Sequence, residues 1–347
     1  MHVAQVAPLY ESVPPRQYGG TERVVSYLTE ELVRQGHDVT LFASGDSETA
    51  GTLVPACPRS LRLDEEAVDH MAPHVLMLEE VYRRADAFDV IHFHVDYLHY
   101  PVSRRQDTPH VTTLHGRLDL PSLRPLYQEF DDMPVVSISD AQRTPLNGAH
   151  WQATVYHGLP PDLYQFRSES EGYFAFLGRI SPEKRVDRAI EIAKDVEVPL
   201  KVAAKVDPVD QEYFENEIEP MLEHPLIDFI GEIDEREKGA FLGNADAVLF
   251  PIDWPEPFGL VMIEALACGT PVIAYRHGSV PEVLADERVG FVVSDFDEAV
   301  QAARSVDQID RRDCRAYFEE RFQVGRMARD YLSVYEELVP TLTETVS

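Results

Sequence analysis

Basic charge is scarce in this chain of 347 residues: 31 arginines and lysines face 61 aspartates and glutamates, for a formal net charge of −30. A field of that sign opposes sequence-independent nucleic-acid binding and broad docking on an anionic membrane surface. Lysine is the scarcest cation. It occurs only at Lys184, Lys194, Lys201, Lys205 and Lys238, all in the second half. A genome biased toward arginine codons is enough to explain the scarcity, while the clustering is compatible with a local basic pocket in a repulsive surface. Cysteine is nearly absent. Cys57, Cys268 and Cys314 are widely spaced and odd in number, and they give neither a disulfide framework nor a Cys-x-x-Cys pair. No apolar run approaches the ~20 residues that span a bilayer. Residues Met1 to Ala7 read as a short buried strand rather than a signal peptide. The expectation is a cytoplasmic protein.

What is present is enough for two cores, since 44% of the residues are hydrophobic over a length that suits two ordinary domains. Short apolar, β-rich runs alternate with helical periodicity. Val3 to Ala7 reads as a strand. Glu22 to Gln35 follows as a helix with Val24, Val25, Leu28 and Leu32 on one face, ended by Gly36. Asp38 to Ala43, Val90 to His94, Val111 to Leu114 and Val135 to Ile138 are further strands, and Met71 to Arg84 a helix. The second half repeats the rhythm with strands at Tyr173 to Leu177, Leu200 to Ala204, Ile227 to Ile230, Ala247 to Phe250, Val272 to Tyr275 and Gly290 to Val293. This is the pattern of parallel sheets covered by helices. The polar stretch Gln165 to Gly172 reads as the linker, giving domains 1–165 and 166–323 and a last helix within 324–347.

The most informative segment runs from Glu256 to Glu264, Glu-Pro-Phe-Gly-Leu-Val-Met-Ile-Glu, between an apolar strand and a helix closed by Gly269. A glycine loop feeding a helix leaves backbone N–H groups of Phe258, Gly259 and Leu260 where phosphate or sugar oxygens can sit. Carboxylates in the same crevice accept hydrogen bonds from sugar hydroxyls. Earlier, Gly178-Arg179-Ile180-Ser181-Pro182-Glu183-Lys184 places a guanidinium and an ammonium after a strand. A cation at a helix start opposes the helix dipole, so a diphosphate there would explain it, with surface charge as the alternative. Gly19-Gly20 precedes a helix with Thr21 as a candidate cap. The pair suits close approach to a diphosphate or a simple strand–helix turn. It lacks the Gly-x-Gly-x-x-Gly spacing, which disfavours nicotinamide binding. Among 13 histidines, His92, His94 and His99 straddle a strand and its loop with only Asp96 as an acidic neighbour at a convincing spacing, so no metal is expected.

Together these motifs resemble, in order and over nearly the whole chain, the retaining GT-B glycosyltransferases of family 4 (glycosyl transferases group 1). Tyr18-Gly19-Gly20-Thr21-Glu22 resembles their N-terminal glycine loop, Thr113-Leu114-His115-Gly116 their active-site histidine, and Val155-Tyr156-His157-Gly158 the turn that ends their first domain. The resemblance implies two Rossmann-like, doubly wound parallel-sheet domains facing each other across a cleft, with the last helix crossing back to the first domain. It implies a hexosyltransferase that moves a sugar from a nucleoside diphosphate sugar, best matched by UDP-glucose, to a hydroxyl acceptor, with retained configuration and without cofactor or metal. It places the acceptor pocket in variable loops of the first domain, here around Asp46 to Arg62 and Leu118 to Asp132, and with no basic, apolar membrane patch evident the acceptor is expected to be soluble. By the same resemblance Arg179 and Lys184 stabilise the leaving diphosphate, Glu256 contacts the donor sugar, and His115 lies beside that sugar. Glu264 takes the ribose hydroxyls, and Gly19, Gly20, Phe258, Gly259 and Leu260 line the donor. Lys205 and Ile233 flank the phosphates and base, and Asp96 meets the acceptor. Two positions depart from the family pattern: Ala203-Ala204-Lys205-Val206-Asp207 replaces a glycine-rich turn, and His157 replaces an asparagine. A non-catalytic sugar-nucleotide sensor and a nucleotide-sugar epimerase are the alternative readings.

Overall fold

The computed structural model describes residues 1–16, 19–64 and 68–339. The chain forms two compact units, Met1–Gly158 with Val324–Ser347, and Leu159–Gln323.

The first unit is built on a seven-stranded parallel sheet. Its strands are β1 (His2–Val6), β2 (Asp38–Ser44), β3 (Thr52–Cys57), β4 (Val90–Phe93), β5 (His110–Thr113), β6 (Pro134–Ser137) and β7 (His150–Thr154), in the order β3-β2-β1-β4-β5-β6-β7. The direction of winding reverses between β1 and β4, the place where open α/β sheets form a crevice at their carboxyl ends. Helix α1 (Gly20–Arg34) follows β1 and buries Val24, Val25, Leu28 and Leu32. Gly36, at φ 89°, ends it in a conformation that only glycine adopts cheaply. Helix α2 (Met71–Arg83) covers the β3 side through Met77, Leu78 and Val81.

The second unit has a six-stranded parallel sheet: β8 (Phe174–Ile180), β9 (Leu200–Val206), β10 (Ile227–Gly231), β11 (Ala247–Phe250), β12 (Val272–Tyr275) and β13 (Gly290–Val293), in the order β10-β9-β8-β11-β12-β13. Its reversal falls between β8 and β11. Helices α3 (Val186–Asp195), α4 (Glu235–Gly243), α5 (Leu260–Cys268), α6 (Phe296–Ser305) and α7 (Arg311–Arg321) surround it. Strands β11 and β12 are buried throughout, as a sheet covered on both faces requires. The chain then returns to the first unit as α8 (Val324–Leu338), which packs on α1 and buries Met327, Ala328, Tyr331, Val334 and Tyr335.

Three expectations need correction. Residues 46–62 are not all acceptor loop, because 52–57 form β3. Both β3 and β7 lack a continuous apolar run because they are edge strands with few buried side chains, and β3 carries a proline. The boundary lies at 158/159 rather than 165/166. Leu159 N–H donates to the Phe322 carbonyl at 2.8 Å, and Arg167 N–H donates to the Cys268 carbonyl at 3.0 Å, so the polar stretch after Gln165 is wall of the second unit rather than linker. Thr21 does not cap α1. The capping position is Gly19, with no side-chain hydrogen bond.

Strand β13 enters the sheet at Gly290, where an added Cβ would lie 2.2 Å from the Val272 carbonyl oxygen, which is backbone and cannot step aside. Gly290→Ala should therefore destabilise the second unit by about 2 kcal/mol. Urea unfolding followed by tryptophan fluorescence and circular dichroism checks this, and a wild-type midpoint would contradict it.

Candidate functional site

In the second unit the polar residues gather at the carboxyl ends of β8 and β11, on either side of the sheet's reversal. Lys184 lies in the loop after β8 and Glu256 in the loop after β11, and the two form a salt bridge. Trp254 Nε1 donates to the same glutamate oxygen at 3.1 Å, and the Lys184 ammonium lies 5.0 Å from the Trp254 ring centre. Glu256 is buried, and its backbone is held by the loop after β12. Ser279 N–H donates to its carbonyl at 3.0 Å, and a Cβ on Gly278 would come within 2.3 Å of the same oxygen. Only glycine tolerates that approach, at φ 53°.

Phe258 is buried, and its carbonyl accepts from Ser279 Oγ at 2.8 Å. Gly259, at φ 80°, turns the chain into α5. No side chain caps that helix, so the amides beginning at Leu260 open its N-terminus to an anion. Glu264 is one turn further on, almost wholly buried. Lys238 of α4 bonds it at 2.9 Å and Glu235 at 3.2 Å, and Tyr164 Oη lies 3.4 Å from the same Glu264 oxygen. Ile233 is half-buried just before α4, whose Asp234 and Glu237 form a reciprocal capping box.

Arg179 lies one residue before the end of β8, directly opposite Lys205 on β9. It bonds Glu183 at 2.6 Å and lies 3.7 Å from Asp207 and 3.5 Å from Asp210, while Lys205 bonds Asp207 at 2.9 Å. The expected basic pocket is thus a mixed cluster in which Arg179 and Lys205 meet Glu183, Asp207 and Asp210. Against the opposing effect of burial, a backbone amide and then Arg179 hold the Glu183 carboxyl below its ordinary range, whereas burial raises that of Asp210. Arg185 and Arg188 both bond Asp253 at 2.9 Å, and Arg188 lies over the Tyr275 ring.

In the first unit, Gly19 packs so closely that a Cβ would meet Pro15 at 2.7 Å, and Gly20 begins α1. Tyr18 lies outside the described residues. Glu22, in the first turn of α1, is buried near Glu11, and burial pushes its carboxyl up to about 7. Asp96, at φ 49°, is exposed, and partial desolvation by the protein around it raises its carboxyl to about 6. His115 is half-buried. Its Nε2 lies 2.8 Å from His94 Nδ1, and its ring stacks on His157 at 5.5 Å. His92, His94 and His99 make side-chain hydrogen bonds rather than a metal cluster: among the described residues no group of three potential ligands is disposed to hold an ion.

The family model for Glycosyl transferases group 1 matches residues 165–323, and that for Glycosyltransferase Family 4 matches residues 18–144. The chain belongs to the group 1, family 4 glycosyltransferases. The phosphatidyl-myo-inositol mannosyltransferase of Mycobacterium leprae is 25% identical to this glycosyltransferase, over 87% of this chain and 86% of that one. AviGT4, a glycosyltransferase involved in avilamycin A biosynthesis, superposes with a TM-score of 0.75 at 25% identity over 98% of both chains. Anabaena HepE, solved in complex with UDP-glucose, does so with a TM-score of 0.71 at 17% identity over 97% of this chain and all of that one. The two doubly wound sheets are those of the GT-B fold. No helix among the described residues is long and apolar enough to cross a membrane.

For this glycosyltransferase, sequence reasoning missed Lys238, Trp254, Gly278 and Ser279, which hold the two glutamates. One signal was available for Lys238: it is one of the few lysines and stands three residues after Glu235 on a helix. Removing it should strand Glu264 in a buried position. Lys238→Met should cost about 3 kcal/mol of stability, and Glu264→Gln much less because Lys238 keeps Glu235. Chemical denaturation of both variants reads the difference, and equal losses would refute the pairing.

The histidines set a pH dependence. Burial holds His92, His94, His99 and His157 well below the ordinary imidazole value and His115 at about 3. The unfolded chain therefore binds more protons than the folded one below about pH 6.5, and stability falls as pH drops through that value. Glu22, between 4.5 and about 7, and Asp96, between 3.8 and about 6, work in the opposite sense, because their folded forms retain a proton there. Five histidines outweigh the two acids, so Tm should be lower at about pH 5 than at about pH 7.5. Scanning calorimetry across that range decides, and a flat profile would contradict the buried, neutral rings.

Proposed function

We propose that this enzyme transfers a hexose from UDP-glucose to a hydroxyl acceptor, retaining anomeric configuration and using no metal. The observation that carries the reading is the meeting of Lys184 and Glu256 beside the uncapped N-terminus of α5, at the reversal of the second sheet. A cation and backbone amides suit a diphosphate, and buried carboxylates suit sugar hydroxyls. The choice of a uridine donor draws on the HepE complex and on the general family resemblance.

In this reading Glu264 accepts from the ribose diol while Lys238 occupies its other bonding capacity. In the second unit the donor sugar meets Glu256 and the amides of Phe258, Gly259 and Leu260, while Lys205 and Ile233 flank the phosphates and base. For the first unit the family resemblance implies that His115 serves the donor sugar, Gly19 and Gly20 the diphosphate, and Asp96 the acceptor. The acceptor oxygen attacks the anomeric carbon on the face from which the diphosphate departs. The bond from that carbon to the phosphate oxygen breaks, and the acceptor proton passes to the departing oxygen. Arg179, Lys184 and the helix amides stabilise the charge that develops, which lowers the barrier only insofar as they bind it better than they bind the ground state.

UDP-, GDP- and ADP-sugars tested by thermal shift should single out a uridine donor, since a ligand that binds the folded state alone raises its melting temperature. Glu264→Ala should raise the donor KM about tenfold or more, and Arg179→Ala should lower kcat about a hundredfold without unfolding the protein. Release of UDP that depends on acceptor identifies a transferase. Wild-type kinetics in both variants, or no response to any nucleoside diphosphate sugar, would overturn the reading.

A further inference from the structure

Beneath His115 lies a chain of buried polar side chains that the transfer reaction does not itself call for. Gln5 is fully buried in β1, and its carbonyl oxygen lies 2.7 Å from His94 Nε2. Its amide nitrogen donates to Tyr335 Oη of α8 at 3.2 Å. Tyr335 Oη lies 2.7 Å from His92 Nδ1, His92 Nε2 lies 2.7 Å from Thr113 Oγ1, and Thr113 Oγ1 lies 2.9 Å from Tyr331 Oη. We propose that Gln5 is a positioning residue for His115: acting through His94, its side-chain carbonyl decides which ring nitrogen of His115 carries the proton.

The sense of the chain follows from what each atom can do. A carbonyl oxygen only accepts, so His94 Nε2 carries a hydrogen. A neutral imidazole has one N–H, so His94 Nδ1 is an acceptor. Its partner at 2.8 Å, His115 Nε2, must then be the donor. His115 is left with an unprotonated Nδ1, a lone pair able to accept from a hydroxyl group. Burial keeps both rings neutral, so a second proton does not blur the assignment. The other arm runs with the same consistency. Gln5 donates to Tyr335, Tyr335 donates to His92, His92 donates to Thr113, and Thr113 donates to Tyr331. Each of these hydrogen bonds then has one donor and one acceptor, which is the condition for a buried polar network to specify one arrangement. The catalytic consequence rests on the proposed role of His115 beside the donor sugar, whereas the tautomer itself does not.

The test separates the two. Nuclear magnetic resonance of protein labelled at its histidine ring nitrogens, with His115→Asn to assign the signals, should find His94 and His115 each protonated at Nε2 alone. Gln5→Met should give mixed tautomers at His115, lower kcat about tenfold and leave the donor KM within about twofold. Gln5→Glu, whose buried carboxyl group stays protonated and so accepts from His94 through its carbonyl oxygen while donating to Tyr335 through its hydroxyl, should restore the single tautomer and part of kcat. His115 protonated at Nδ1 in the wild-type protein, a result that needs no variant to fold, would overturn the proposal, as would an Nε2-only His115 in Gln5→Met. A changed tautomer with unchanged kcat would uphold the relay and overturn the role given to His115 in transfer.

Discussion

A carboxylate taken out of water must meet a cation or it will not stay ionised, and this chain, with twice as many acids as bases, has few cations to spare. Where it places them shapes the second unit. Lys184 meets Glu256, Lys238 meets Glu264 and Glu235, and Lys205 meets Asp207. These contacts put most of the chain's lysines around one end of one sheet and give the clustering a structural reason. A compact ammonium on a flexible stem can reach into a half-buried loop with modest side-chain volume, whereas the planar guanidinium demands more room and a fixed direction. The arginines of the same region accordingly lie nearer the rim, where Arg185 and Arg188 share Asp253.

The first unit contains no lysine and solves the same problem differently. Beside buried acids paired with arginine, such as Glu31 with Arg34, it holds a cluster of neutral buried groups. Gln5, His92, His94, Thr113, Tyr331 and Tyr335 satisfy one another in a network with no ionised member. A neutral network avoids the desolvation penalty of a buried charge but demands completeness, because every unmatched donor costs about as much as a hydrogen bond is worth. That demand gives α8 a second reason to pack where it does. Its tyrosine hydroxyls close the network that begins on β1, in addition to burying Met327 and Val334.

Legibility from the sequence followed the same physics. Central strands such as β11 and β12 were readable because burial on both faces leaves a continuous apolar run, and α1 and α8 because one face alternates at helical spacing. The edge strands β3 and β7 were not, because a strand with a partner on one side only carries a weaker apolar signal. The boundary near residue 165 looked like a linker because it is polar, yet those residues are held by backbone bonds to elements that follow much later in the chain. Local motifs named Arg179, Lys184, Glu256 and Glu264. What local pattern cannot give is who bonds whom across seventy residues, so the meeting of Lys184 with Glu256, the role of Lys238 and the acids around Arg179 emerged only in three dimensions.

The acids around Arg179 change how phosphate recognition has to work in the proposed function. A diphosphate approaching Arg179 competes with Glu183, Asp207 and Asp210 for a guanidinium that already has good partners. The gain on binding is then the difference between two anionic environments rather than the full attraction of a bare cation, which keeps ground-state affinity moderate. Charge that builds on the phosphate oxygen as the sugar departs strengthens the phosphate side of that competition and not the carboxylate side. An arrangement that looks unfavourable for holding a diphosphate is thereby suited to favouring its departure, because the interaction grows as the bond breaks.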